Sequence, residues 1–312
     1  VILHERQSTE IVTQALRIGD IAITTTPNET YALTGLKLKR QSPLKQTMVI
    51  ELANGGDGYI PPPEQHLLGG YNTWAARSAG LEVLAEPRIV ESDLELLEKV
   101  TNQRRKFYQQ SRGPATEAIL SLKPAAYWRL DEFNGPRARD LSGHQRDAFY
   151  EPAIAYFLEG PASTSFCKDG ETNRAVRFAG DRLQARINDL SDQFTISLWL
   201  WNGMPLDARE ISGWMFSQGP DHGLAAYGDH LGVGGTEFPG KLIFMNGADR
   251  KLHSGKTAIE RWTWNHVALV RDGKSLKVYL NGKLEIDLQT TSAKAGPMLD
   301  QIFFGGRTDN QS

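Results

Sequence analysis

Val278-Tyr279-Leu280-Asn281-Gly282-Lys283-Leu284-Glu285-Ile286 spells out a β-hairpin. Asn-Gly between two apolar runs is the strongest short hairpin signal, because both central turn positions need positive φ. The same texture extends outward. His266 to Arg271 (HVALVR), Lys241 to Met245 (KLIFM) and Phe194 to Trp201 (FTISLWLW) alternate about apolar positions, and Gly, Pro and Asp turns separate them. Many short strands joined by such turns predict an antiparallel sandwich for the second half of the chain.

The first half reads differently. Trp74 is the only tryptophan before residue 127, whereas Trp128, Trp199, Trp201, Trp214, Trp262 and Trp264 all follow. Leu16 to Thr24 and Thr47 to Leu52 read as strands, with a short helix over Tyr31 to Arg40 between them. Pro61-Pro62-Pro63 ends the second strand, since proline donates nothing to a ladder. Residues 91–110 predict one long helix, with Ser92 as N-cap and Glu95 at the capping-box position. Acidic residues at its start and Arg104, Arg105 and Lys106 at its end suit the helix dipole. Ser111 to Pro114 breaks the pattern. The fold class is therefore an α+β N-terminal segment over residues 1–115, followed by an all-β antiparallel sandwich over 116–312.

The formal net charge of −2 implies no pull toward nucleic acid or an anionic membrane. One cysteine, Cys167, excludes an internal disulfide and a multi-cysteine zinc site. No apolar run approaches the roughly 18 residues of a transmembrane helix. Cys167 shows no activating pattern. His222 and His230 flank a glycine-rich loop, and two histidines eight apart there are weak evidence for a metal; His266 reads as a satisfied strand residue rather than a ligand.

Tyr127-Trp128-Arg129-Leu130-Asp131-Glu132, followed by Asp140-Leu141-Ser142-Gly143, resembles the opening of a laminin-G-like, concanavalin A-like jelly roll. Three further stretches fit in order: Ala175 to Phe178 with Phe194 to Trp199; Trp264 to Val270; and Val278 to Lys283. The resemblance covers roughly residues 118–312. It departs after Phe303-Phe304-Gly305-Gly306, where such domains carry a further strand with Gly-x-Ile-Asp-Glu, so the roll is expected to lack its last strand. The resemblance implies binding of a glycan, a cell-surface group or a protein ligand, in some members with calcium. Asp131, Asp140 and Asp181 lie at turns where calcium ligands form, although Asp at a turn also bonds its own backbone. An exposed Trp201 or Trp214 would stack on a sugar ring, whereas Trp199, Trp262 and Trp264 read as core or edge packing. Glycosidases share this fold. Glu285 and Asp287, two apart on one strand, are expected on one face, but the further Glu of those enzymes is replaced by Leu288-Gln289-Thr290-Thr291. An outward polar hairpin face is the plainer reading.

Leu16 to Ile23, Thr26-Pro27-Asn28-Glu29, Ala53-Asn54-Gly55-Gly56-Asp57-Gly58-Tyr59-Ile60-Pro61 and Gly69-Gly70-Tyr71 resemble the C-terminal stretch of the catalytic domain in the neutral/alkaline ceramidase family, over residues 14–100. The resemblance places two of that family's zinc ligands on Glu29 and Tyr59. The family's histidine ligands and serine nucleophile are N-terminal to this stretch, so no catalytic residue is assigned in this chain. A carboxylate and a neutral phenol alone would hold zinc poorly. Taken singly, Glu29 reads as a turn residue and Tyr59 as packing. The combined expectation is part of a zinc-dependent amide hydrolase acting on a lipid amide, inactive as this chain alone, joined to a binding jelly roll. The resemblance also implies a secreted or cell-envelope protein. The competing expectation is a non-catalytic lectin-like adhesion protein.

Overall fold

The computed structural model describes residues 8–56, 58–75, 79–188, 190, 192–291 and 299–309. The chain forms two compact units, Val1–Ser111 and Arg112–Ser312.

In the first unit, β1 (Gln14–Ile18) and β2 (Ile21–Thr25) form a hairpin, and α1 (Ala32–Gln41) crosses over to β4 (Gln46–Ile50), which pairs parallel to β2. A two-residue strand, β3 (Glu29–Thr30), precedes α1 and pairs parallel with β5 (Tyr59–Ile60). The single strand expected over Leu16 to Thr24 is thus a hairpin. Gly19, at φ +59°, reverses the chain where a side chain would be strained. After β5 come α2 (Pro63–Leu68), a 3-10 turn at Tyr71–Thr73, and α3 (Ala85–Thr101).

Helix α3 begins ahead of the expected start. Pro87 sits in its first turn, where the missing N–H costs nothing. Ser92 is inside the helix rather than its cap, and its hydroxyl meets that of Thr13 at 3.0 Å. The helix stops at Asn102 in the left-handed conformation (φ +56°), so Arg104 and Phe107 lie beyond it. Arg105 folds back onto Glu91 and Glu98 at 2.8 and 3.1 Å. Ala22, Leu38, Val90, Leu94 and Leu97 form the core between the sheet and the helices. Leu16, Ile18, Ile21, Met48 and Ile50 are exposed on the three-stranded sheet. Strand alternation and register put Leu16 in line with Ile23 and Met48 on the face opposite Ala22. Lys37 Nζ donates to both oxygens of Glu86 at 3.0 and 3.1 Å, a buried pair joining α1 to α3.

The second unit opens with α4 (Pro114–Ser121) and then runs almost entirely in strands. These are β6 (Arg137–Ala138), β7 (Ala148–Tyr150), β8 (Ile154–Glu159), β9 (Arg174–Phe178), β10 (Leu183–Arg186), β11 (Gln193–Trp201), β12 (Ile211–Gln218) and β13 (Asp229–Gly234). They continue with β14 (Lys241–Asn246), β15 (His253–Ala258), β16 (Trp264–Asp272), β17 (Ser275–Leu280), β18 (Lys283–Gln289) and β19 (Gln301–Phe304). One sheet has the order β15-β14-β13-β12-β19-β10-β7-β6, the other β11-β16-β17-β18, with β8-β9 as a separate ribbon. The pairings are antiparallel, and Asn281 and Gly282 turn the β17-β18 hairpin with φ +49° and +80°. The stretch Phe303-Phe304 lies centrally, in β19 between β10 and β12.

Val267, Leu269, Leu276 and Val278 are buried on the four-stranded sheet, and Phe216, Leu231, Leu242 and Phe244 on the eight-stranded one. Phe194 meets Phe216 across the two sheets with ring centroids 6.3 Å apart. Arg271 of β16 reaches Asp229 of β13, with Nε donating to Oδ2 at 2.8 Å and Nη2 bonding Oδ1. Alternation along β12 to β14 puts Trp214, Ile243 and Met245 in a second, smaller cluster on the other side of the same strands.

Candidate functional site

The alternation of β11 decides what its residues do. Phe194, Ile196, Leu198 and Leu200 are half-buried, and Thr195, Ser197, Trp199 and Trp201 are exposed. Register then sets Trp201 opposite Trp264 and Trp199 opposite His266. Trp199 is 45 % exposed and Trp201 40 %. Phe166 stands edge-on to Trp199 at 5.4 Å, and the His266 ring lies 5.5 Å from it. His266 Nε2 and Ser197 Oγ are 2.8 Å apart. Partial burial lowers the His266 pKa, which favours a neutral imidazole able to donate from one nitrogen and accept at the other.

The Trp201 end of this face is built tightly. A Cβ on Gly203 would fall 2.5 Å from the Trp201 ring, so glycine lets the indole lie on the chain. Arg261 Nη2 donates to Gly203 O at 2.7 Å, and its guanidinium stacks 4.2 Å from the exposed Trp262 ring. Trp262 N–H donates to Asn202 O at 2.9 Å. The face therefore offers flat apolar rings flanked by a hydroxyl, an imidazole and a guanidinium. Trp199 and Trp262 are not the packing residues expected from the sequence.

Trp214 corrects the opposite expectation: it is buried. It packs with Ile243 and Met245, its ring meets His230 edge-on at 6.0 Å, and the Arg307 guanidinium covers it at 5.4 Å. No open ring face remains there for a sugar.

Glu285 and Asp287 do not share a face. The register shifts from Val278↔Ile286 to Tyr279↔Leu284, leaving Glu285 as the extra residue of a bulge. Glu285 is buried and accepts from the Lys256 and Thr257 N–H groups at 2.6 and 2.8 Å and from the Thr257 hydroxyl at 2.8 Å. Burial alone would push this carboxyl up, but those donors outweigh it and hold the pKa below its ordinary value. Asp287 is exposed opposite Lys277. Glu285 thus ties edge strand β15 to β18, beside a cleft of about 450 Å3 lined in part by Phe238, His253, Lys256 and Leu288.

The three candidate calcium aspartates serve separate turns. Asp140 accepts from Tyr127 N at 2.9 Å, Ser142 N at 2.9 Å, Ser142 Oγ at 2.7 Å and Arg146 N at 3.0 Å. Asp181 accepts from Ala153 N at 2.9 Å, and Asp131 lies 3.9 Å from Arg129. Burial raises the Asp131 pKa, while the protein donors draw that of Asp140 down against a burial cost. Among the described residues no three His, Cys, Asp or Glu side chains converge to hold a metal. Asp140 and Asp181 thus bind backbone N–H groups of their turns, and Asp131 pairs with Arg129.

Glu29 and Tyr59 do come together. They are direct partners on the β3-β5 bridge, and the Tyr59 ring meets Tyr71 edge-on at 5.5 Å. The Glu29 charge, then burial, raises the Tyr59 pKa, keeping the phenol a donor. Among the described residues they are not joined by further His, Cys, Asp or Glu side chains into a metal-holding group.

Residues 173–312 match the family model Laminin_G_3, described as the concanavalin A-like lectin/glucanases superfamily. This part of the chain is a concanavalin A-like jelly roll. Among solved structures, the chain is similar to domain 4 of AbnA, a GH43 extracellular arabinanase from Geobacillus stearothermophilus in complex with arabinotriose. The two are 15 % identical over 64 % of this chain and 85 % of that one, with a TM-score of 0.38. It is also similar to botulinum neurotoxin type C, in a structure describing cell entry dependent on interaction with two ganglioside molecules. That match is 15 % identical over 60 % of this chain and 44 % of that one, with a TM-score of 0.37. The receptor binding domain of the botulinum neurotoxin C/D mosaic serotype is 12 % identical over 58 % of this chain and 42 % of that one, with a TM-score of 0.40. The chain spans less than half the length of these toxin chains. No curated protein matches the chain. Among the described residues no helix is long and apolar enough to cross a membrane.

Proposed function

We propose that the second unit binds a glycan through the Trp199, Trp201, Ser197 and His266 face of the four-stranded sheet. The observation carrying this reading is the pair of alternating exposed indoles on β11 beside a Ser-His hydrogen bond. Flat rings supply apolar contact to a pyranose or furanose face, and the hydroxyl and imidazole supply directional bonds to sugar hydroxyls. Exposed large apolar side chains grouped on a strand face mark an interaction surface. Arabinotriose and ganglioside oligosaccharides are the first probes, given what the similar structures bind. Calorimetric titration should show saturable binding that Trp199→Ala or Trp201→Ala weakens about tenfold, roughly 1.4 kcal/mol. Trp262→Ala, at the edge, should weaken it less. Binding that survives the double Trp199→Ala, Trp201→Ala substitution would sink this assignment. The setting that suits such a module is secreted or cell-envelope.

A second reading concerns the first unit: one part of a ceramidase-like amide hydrolase, with Glu29 and Tyr59 among its zinc ligands. Two observations favour it, the Glu29–Tyr59 register pair and the apolar outer face of the three-stranded sheet, which a larger domain would cover. Zinc there would polarise an amide carbonyl and activate water. Glu29 would supply the anionic ligand and Tyr59 a neutral one. In competition against a chromogenic chelator, this chain should take up zinc weakly, with Glu29→Gln and Tyr59→Phe each abolishing the uptake. Uptake indifferent to both substitutions would exclude the pair as ligands.

A further inference from the structure

Three rings stand in a row in the first unit, and two of them, Tyr71 and Trp74, are used by neither reading. Tyr59 and Tyr71 meet edge-to-face with centroids 5.5 Å apart and planes at 72°, and Tyr71 meets Trp74 at 6.0 Å and 63°. Tyr71 is 62 % exposed and Trp74 64 %. Neither ring has been drawn into a core, yet their placement is specific. Gly69 and Gly70, at φ +73° and +109°, lead the chain into the 3-10 turn that carries Tyr71. Thr73 Oγ1 closes that turn onto Gly70 O at 2.8 Å. The β3-β5 bridge then brings Glu29 to the Tyr59 end of the row.

Rings at steep angles to one another form corners, and the face of each ring carries the negative part of its quadrupole. A carboxylate stands at one end of this row, and among the described residues it forms no ion pair with Lys, Arg or His. Negative ring faces and an unpaired carboxylate together attract a positive charge that also has an apolar skin. A hydrated metal ion would use the oxygens and gain nothing from Trp74. A neutral sugar would use the rings and gain little from the charge of Glu29.

We propose that Glu29, Tyr59, Tyr71 and Trp74 form a binding site for an organic ammonium group. The rings contact its alkyl substituents, and Glu29 supplies the counter-charge. The proposal uses the carboxylate that the hydrolase reading gives to zinc, but it depends on Tyr71 and Trp74, which that reading does not use.

The test is titration of the full chain with choline, with ethanolamine, and with 3,3-dimethylbutan-1-ol, the uncharged isostere of choline, followed by calorimetry. At least one of the two amines should saturate, with the isostere about tenfold weaker or worse. Trp74→Ala, Tyr71→Leu and Glu29→Gln should each weaken amine binding about fivefold, while Tyr71→Phe keeps the ring and the affinity. Trp74 and Tyr71 are exposed, so an unchanged melting curve will certify folding of those variants. Equal binding of the isostere would overturn the proposal in favour of an apolar or sugar site, and so would amine binding indifferent to Trp74→Ala. Absence of amine binding would overturn it outright. Zinc uptake separates the two readings. Amine binding without zinc uptake leaves this inference standing and removes the ligand pair. Zinc uptake lost in Glu29→Gln but not in Trp74→Ala, with no amine binding, does the reverse.

Discussion

Asp229→Ala will cost the second unit about 3–5 kcal/mol, the range for removing one partner of a buried pair. The side chains of Asp229 and Arg271 are each 2 % exposed, and they arise from opposite sheets of the sandwich. Their contact is a two-pronged fork, the geometry in which guanidinium and carboxylate bind most strongly. Asn246 Nδ2 adds a third bond to Asp229 at 2.9 Å, and Arg271 Nη1 reaches Gly273 O at 3.4 Å. Truncation leaves a desolvated guanidinium facing Phe244, whose ring centroid is 5.9 Å away. Urea unfolding followed by tryptophan fluorescence measures the effect, since all tryptophans except Trp74 lie in this unit. Asp229→Leu combined with Arg271→Met removes both charges at similar volume and should recover most of the loss. If the single substitution costs under about 1 kcal/mol, the pair is not the cross-sheet pin that its geometry describes.

The sandwich was legible because its evidence is local. Asn281-Gly282 needs only its own backbone to announce a turn, and the alternation in β11 and β16 needs only the pleat. What alternation could not tell was which face is covered. Trp199 and Trp214 sit on strands of similar texture. Trp199 is on a face that stays open, and Trp214 is under Arg307 beside Ile243 and Met245. Covering segments come from distant parts of the chain, so composition within the strand carries no trace of them. Glu285 shows a second limit. Counting by two puts it beside Asp287, but one extra residue in the ladder turns it inward to bind the edge of β15. In the first unit, Gly19 was a turn signal lost inside an apolar run, and Pro87 in a first turn hid the true start of α3. The Glu29–Tyr59 contact joins segments far apart in sequence. A resemblance pointed to it and took in Tyr71 beside it, but gave neither that ring nor Trp74 a role.

Two buried groups will give the units opposite responses to pH. Asp93 is fully buried in α3 with neither carboxyl oxygen hydrogen-bonded in normal geometry. Burial pushes its pKa up to about 7, against a smaller pull from Thr24. In the unfolded chain it ionises near its ordinary 3.8. Between those values the folded form holds a proton that the unfolded form has lost, so stability is full at low pH and falls as pH rises. The first unit should lose about 3 kcal/mol from pH 4 to pH 7. His230 works in the other direction. Its Nδ1 meets Ser217 Oγ at 2.5 Å, its Nε2 is buried without a partner, and burial, aided by the Arg307 charge, pushes its pKa down to about 3. The unfolded chain protonates near 6.5, so the stability is fully present above that value and is lost as pH falls toward 3. The second unit should lose about 2 kcal/mol between pH 7 and pH 5. Hydrogen exchange read by mass spectrometry resolves the two, using peptides from Ala85–Thr101 and from Asp229–Gly234 after correction for intrinsic rates. Asp93→Asn should flatten the first slope and leave the second, and His230→Gln should do the converse. Because each substitution is isosteric enough to keep its neighbours, a slope that persists in the variant would assign the titration to a different group. If stability falls with rising pH in both units, neutral burial of His230 is ruled out. Protonation in the folded state would then have to be accommodated beside Arg307, where the packing leaves it no acceptor.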